Sequence, residues 1–174
     1  MPRFYQRTSR LLVATVASGV AALSRFALLL SRFALAAWVG MGTFFVLAVI
    51  NLRQSTLFDE STKLNHPRVL FPLFYGCEFT LLAVALAGGF VALRHPIAGR
   101  SAFRAHLGIL SLVLALAIAD YFAVYLPLDH MIGLSPLPTE FRAYHRASMW
   151  INGVSLALSM CAATLSLWSS ETDQ

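Results

Sequence analysis

Charge is scarce in this chain: 12% of its 174 residues are charged against 58% apolar, and the mean hydropathy is +0.70. That balance excludes an ordinary water-soluble globular domain. Gly-rich phosphate loops, Cys-x-x-Cys pairs, the Gly-x-Ser-x-Gly elbow and His-Glu-x-x-His are all missing, so no common soluble catalytic signature applies. Stretches between the apolar runs reach only about 15–20 residues, too short for a separate aqueous domain. Cysteine is limited to Cys77 and Cys161. On the predicted spans they lie roughly 14 and 22 Å from the same membrane face, too far apart in depth for a disulfide, and they read as small apolar packing residues.

What the chain does have is apolar length. Residues 33–52, 69–93 and 147–168 are runs of about 20 residues or more, enough at about 1.5 Å per residue to cross about 30 Å of hydrocarbon. Residues 105–126 form a fourth run, with one acid, Asp120, inside it. Lipid offers no partner to unpaired backbone groups, so such runs are helices. The predicted fold is an all-α integral membrane protein, an antiparallel four-helix transmembrane bundle over 33–168. A basic amphipathic helix at 1–32 precedes it and a polar tail at 169–174 follows it.

Within SRFALLLSRFALAAW, residues 24–38, one five-residue phrase occurs twice, each copy with an arginine. On a helix, Arg3, Arg7, Arg10, Arg25 and Arg32 fall within about 60° of one another, with Ser18 and Ser24 at the edge of the stripe. Arginine at the centre of a span would cost roughly 2.5–3.5 kcal/mol, so 1–32 reads as a helix lying in the interface and continuing into the first span. A signal peptide and a mitochondrial presequence are the alternatives for this segment. With four spans, eight basic residues fall on the side of the termini and five on the other. The positive-inside rule then places both termini in the cytoplasm.

The polar residues inside the spans carry the functional argument. Counted from the ends that meet loops 53–68 and 127–146, Glu78 is about ten residues in and Asp120 and Asn152 about six, within roughly 9–15 Å of one face. Such groups are expensive in lipid unless they face the bundle interior. The expected ligand-binding set is Glu78, Asp120, Asn152, His145, Tyr75 and Ser148, forming an outward-opening polar pocket with Tyr75 and His145 at its rim. No basic residue lies inside any span, so a shared proton or a bound cation would relieve the two acids. On the last span His145, Ser148, Asn152, Ser155, Ser159 and Ser166 occupy about 80° of one face, an interior seam that can also serve as interhelical hydrogen-bond glue.

Histidines divide by topology. His95 and His106 border the loop on the side of the termini, as solvated helix-end residues, while His66, His130 and His145 border the opposite face beside Asp59, Glu60 and Asp129. Their spacing is not a metal motif, and no metal site is expected. Haem fits less well still, since paired axial histidines would have to face one another inside the bundle and no span has a histidine at its middle.

Two resemblances follow from these residues. LFPLFYGCEF at 70–79, AAWVGMGTFF at 36–45 and FRAYHRASMWIN at 141–152 resemble a family of small bacterial four-helix membrane proteins of unknown function, related to eukaryotic transmembrane protein 205. The likeness covers about 33–168, and its most specific piece is the pattern of His145, Ser148 and Asn152. LNHPRVLFPLFYG at 64–76 and VYLPLDHMI at 124–132, with Trp150 and Asn152, are similar to the anthrone-oxygenase-like membrane family. Here Asp129 stands where that family has Asn, and Val154 and Ser155 stand where it has an arginine.

Three functional classes are therefore expected. The first is a membrane protein binding a small ligand, cation or lipid-soluble molecule in the polar pocket. The second, implied by the second resemblance, is a cofactor-poor oxidoreductase with Asp120, His145 and Asn152 handling protons. The third is an accessory subunit of a larger membrane complex, for which the pair Gly88–Gly89 is the one small-residue groove available to face lipid. The expected surroundings are the lipid bilayer; nothing in the chain suggests nucleic acid, and no cofactor is specified.

Overall fold

The computed structural model describes residues 2–93, 100–132, 134 and 136–168. Helix α1 runs from Pro2–Gln54, α2 from Glu60–Leu93, α3 from Arg100–Ala119, α4 from Leu126–Met131 and α5 from Phe141–Trp168. Between α3 and α4, Asp120–Tyr125 form a π-helical turn, so that α3, the turn and α4 make one rod. Four segments are long and apolar enough to span a membrane: Ser18–Gln54, Glu60–Leu93, Phe103–Met131 and Phe141–Ser166. The protein is an all-α integral membrane four-helix bundle. Below, the side of the bundle carrying the turns after α1 and after α4 is called the loop face, and the side where α3 begins and α5 ends the terminal face. His95 and the tail expected at 169–174 lie outside the described residues.

No break separates the amphipathic segment from the first span. Neither Gly nor Pro interrupts residues 25–38, and α1 continues as one helix through the boundary expected at residue 32. Ser24, Ala27 and Ser31 are buried. They belong to the bundle because they are small and meet small residues of α2: Ser31 Oγ donates to the Ala85 carbonyl at 2.6 Å, and Gly88 lies directly under the backbone of Ala27 and Ser31. Close backbone approach of this kind substitutes for the hydrophobic drive that lipid removes. Leu35, Trp38, Leu82, Ala85, Leu110 and Val113 continue the core at mid-bundle. Cys77 and Cys161 are free and exposed on the outer surface of the bundle rather than packed inside it.

Two arginines close helix ends. Arg32 Nη2 donates to the Ser166 carbonyl in the last turn of α5 at the terminal face. At the loop face Arg68 Nη2 donates to the Ile132 carbonyl after α4, and its Nε lies 3.9 Å from Asp129 Oδ1. Both satisfy orphan C-terminal carbonyls and place a cation at the negative end of a helix dipole. The repeated phrase therefore hides a division of labour, with Arg32 a cap on α5 and Arg25 an exposed side chain.

Asp59 caps the start of α2, its Oδ1 accepting from the Thr62 amide at 2.9 Å and its Oδ2 from Ser61 Oγ at 3.0 Å. Contacts with the Thr62 side chain and amide, then Ser61, hold the Asp59 carboxyl below the usual carboxylate range. A carboxyl depressed in the folded state contributes stability above its unfolded value and loses it as pH falls through the folded one. Asp59→Ala should therefore lower the thermal midpoint at neutral pH, and the gap to wild type should close once the pH falls below the native carboxyl's range. Thermal scans of both proteins across the acid range check this.

Candidate functional site

Asp120 opens the π turn and is buried. Pro127 explains why the helix widens here. In a regular helix its ring would crowd the carbonyl four residues back, and it has no N–H to return; instead the Leu126 amide reaches back five residues to the Tyr121 carbonyl. Five residues are about 140° apart on an α-helix but close to one full turn of a π-helix. Asp120 and Tyr125 are consequently both buried, where α-helical spacing would set them on opposite sides.

Three donors converge on one carboxylate oxygen. Asp120 Oδ2 accepts from the Tyr75 hydroxyl of α2 at 2.6 Å, from Asn152 Nδ2 of α5 at 2.7 Å and from Ser148 Oγ of α5 at 3.1 Å. Asn152 Nδ2 also bonds the Ser148 carbonyl at 3.0 Å, which ties the two α5 donors together. Tyr75 packs against Tyr125 and Tyr121, with ring centroids at 4.9 and 5.1 Å, and Phe71 stacks on Tyr125 at 5.7 Å. Aromatic rings thus form the wall on the side of α2 and the π turn.

One turn deeper, the polarity is unanswered. Glu78 follows Tyr75 by three residues on α2, and Ser155 follows Asn152 by three on α5; both helices run from the loop face inward, so Glu78 and Ser155 share a level roughly 4.5 Å below Asp120. Glu78 is 1% exposed and within electrostatic reach of Asp120. Glu78 Oε2, Asp120 Oδ1 and Ser155 Oγ are all buried without a hydrogen-bond partner. Below them the Trp38 indole donates to Ser159 Oγ at 3.0 Å, closing the site toward mid-membrane. Among the described side chains no base joins the group.

The structure thus brings Asp120, Asn152, Ser148 and Tyr75 into direct contact and sets Glu78 beside them. One expectation is corrected. Tyr75 is at the centre rather than the rim, 1% exposed, with its hydroxyl on the carboxylate; aromatic rings close the site on that side, while Asn152 on α5 is half-buried. His145 is an exposed neighbour of Phe141 and Arg53 near the loop face, outside the set of donors to Asp120. Among the described residues, no three His, Cys, Asp or Glu side chains are grouped to hold a metal.

Two further expectations change at the terminal face. His106 is not a solvated helix-end residue; it is 0% exposed, its Nδ1 2.9 Å from the Ala162 carbonyl and its ring stacked on Phe103. It follows the register of Asp120, fourteen residues further along the same helix and only about 40° away in azimuth, a signal that helical spacing does carry. The pair Gly88–Gly89 does not face lipid but is buried under Ala27, Ser31 and Leu107. Compared with family models, curated proteins and solved structures, the chain matches none.

Proposed function

We propose that this multi-pass membrane protein binds a proton or a small cation at the Asp120–Glu78 pair. One observation carries the reading: two buried acids at adjacent levels of the bundle present three unpartnered oxygens, Asp120 Oδ1, Glu78 Oε2 and Ser155 Oγ, with no base among them. Burying an isolated carboxylate is costly enough that it is paired, coordinated or neutralised. Burial of both acids favours the smallest positive ligand, since a proton needs no cavity. Tyr75, Asn152 and Ser148 commit one oxygen of Asp120, which leaves the other and Glu78 for the ligand.

The oxidoreductase reading draws less support because His145 is exposed and apart from Asp120. An accessory-subunit role draws less because Gly88–Gly89 serves the contact of α2 with α1 and α3. The arginine excess supports a cytoplasmic terminal face, and the family resemblance supports a bacterial inner membrane, which together would set the acid pair in the outer half of that membrane. Membership of the small four-helix family resembling transmembrane protein 205 is part of the same proposal, with Ser148 and Asn152 of the shared pattern acting as the fixed donors to Asp120.

Infrared difference spectroscopy tests it. Wild type at neutral pH should show a carboxylic acid C=O band, removed by Glu78→Gln or Asp120→Asn and, if a cation competes for the site, reduced by sodium. A wild-type spectrum without such a band, unaltered by sodium and by either substitution, would sink the proposal.

A further inference from the structure

The terminal face holds a second polar group, separated from the acid pair by the mid-bundle core of Leu35, Leu82, Leu110 and Val113. Its centre is His106. Carbonyls only accept, so the 2.9 Å contact with Ala162 requires that Nδ1 carry hydrogen. In the neutral ring Nε2 is then a bare lone pair, and it is buried without a partner. Arg32 of α1 is its charged neighbour, and that guanidinium already donates to the Ser166 carbonyl one turn beyond Ala162 on α5. Arg32 Nε is likewise buried and unpartnered.

Every element around the ring is accounted for among the described side chains. Besides Arg32, α1 brings Arg25 and α3 brings Arg104, both exposed; the ends of α2 and α5 bring no charged group. Among the described side chains no acid stands here to balance a new charge. A proton arriving on Nε2 would make an imidazolium beside a guanidinium in a place shielded from water, and the like charges would separate by the cheapest movement available. His106 is locked between Phe103 and α5, whereas Arg32 is a long side chain at the rim of the bundle.

We propose that His106 Nε2 is a second proton-binding site, on the terminal face, and that filling it releases Arg32 from the Ser166 carbonyl and loosens the end of α5. The proton adds to the lone pair of Nε2 while Nδ1 keeps its own hydrogen on Ala162. The inference stands apart from the acid pair, since neither Asp120 nor Glu78 takes part. It assigns to the terminal face a response to acidity in the compartment it meets.

The test uses the full-length protein in lipid nanodiscs. His106→Asn keeps an N–H for the Ala162 carbonyl but cannot take a proton. Amide hydrogen exchange over residues 159–168 should be equal in wild type and His106→Asn at about pH 8 and about tenfold faster in wild type at about pH 5. Comparing the two proteins at one pH cancels the chemical pH dependence of exchange. Arg32→Gln supplies the second arm, because without the guanidinium the end of α5 should be loose at both pH values and lose its acid response. Nitrogen-15 spectra of histidine-labelled protein read the ring directly and should show Nε2 becoming protonated over the same interval. Equal exchange at about pH 5, an acid response that persists in Arg32→Gln, or an Nε2 still bare at that pH would each overturn the proposal.

Discussion

Gly88→Val is expected to destabilise the bundle by about 3 kcal/mol or more, at the upper end of what overpacking costs. A Cβ at Gly88 would stand 2.6 Å from the Ala27 carbonyl oxygen and 3.2 Å from the Ser31 amide nitrogen. Both are backbone atoms of α1, so nothing short of moving the two helices apart makes room. Gly89 provides the internal control. Its added Cβ would meet Leu107 Cδ2 at 2.5 Å, the end of a flexible side chain that can turn aside. Gly89→Ala should cost little, the gain of about 1 kcal/mol in helix propensity offsetting the shift of Leu107. Steric-trap or detergent-denaturation measurements in bilayer mimics give the comparison, and equal costs at the two positions would contradict the close packing of α1 on α2.

Asp120→Ala is the second large effect, with an expected loss of about 2–4 kcal/mol. Removing the carboxylate takes the shared acceptor from the Tyr75 hydroxyl, the Asn152 amide and the Ser148 hydroxyl, of which the amide keeps its bond to the Ser148 carbonyl. Membrane hydrogen bonds average only about 0.6 kcal/mol, but three bonds lost at once, with the cavity left by the side chain, place this variant well above a single lost contact. Asp120→Asn retains an oxygen for those donors and should cost about 1 kcal/mol or less. The two variants therefore separate structure from chemistry: both abolish the acid, and the alanine should unfold the bundle at clearly lower denaturant than the asparagine.

The parts legible in the sequence were those that depend on depth and on long averages. Four apolar runs sufficed for four spans, and counting residues from their ends set Glu78, Asp120 and Asn152 near one level, where a hydrogen bond joins Asn152 to Asp120; Tyr75, expected at the rim, is the central donor instead. Glu78 came out near that level but without a bond, because depth does not fix which way a side chain reaches. His106 and Arg32 escaped for a shared reason: each was judged by its nearness to a loop or to other arginines, while its partner is a backbone carbonyl of α5, which sequence does not display. The aromatic wall of the acid site was hidden too, since the stacking of Phe71, Tyr75, Tyr121 and Tyr125 depends on a turn that a 3.6-residue period cannot register.

In the language of insertions and deletions, the π turn is one residue too many, kept in place. It turns everything after Asp120 back by about 90° relative to an uninterrupted α-helix, and Val124, Tyr125 and Leu128 face inward on that shifted phase. A chain shortened by one residue between Tyr121 and Val124 could regain regular winding, at the expense of swinging Tyr125 toward lipid and unroofing Asp120. Length variation among relatives of this protein should accordingly be confined to its loops and to the far end of α1, with this six-residue segment constant in length even where its letters drift.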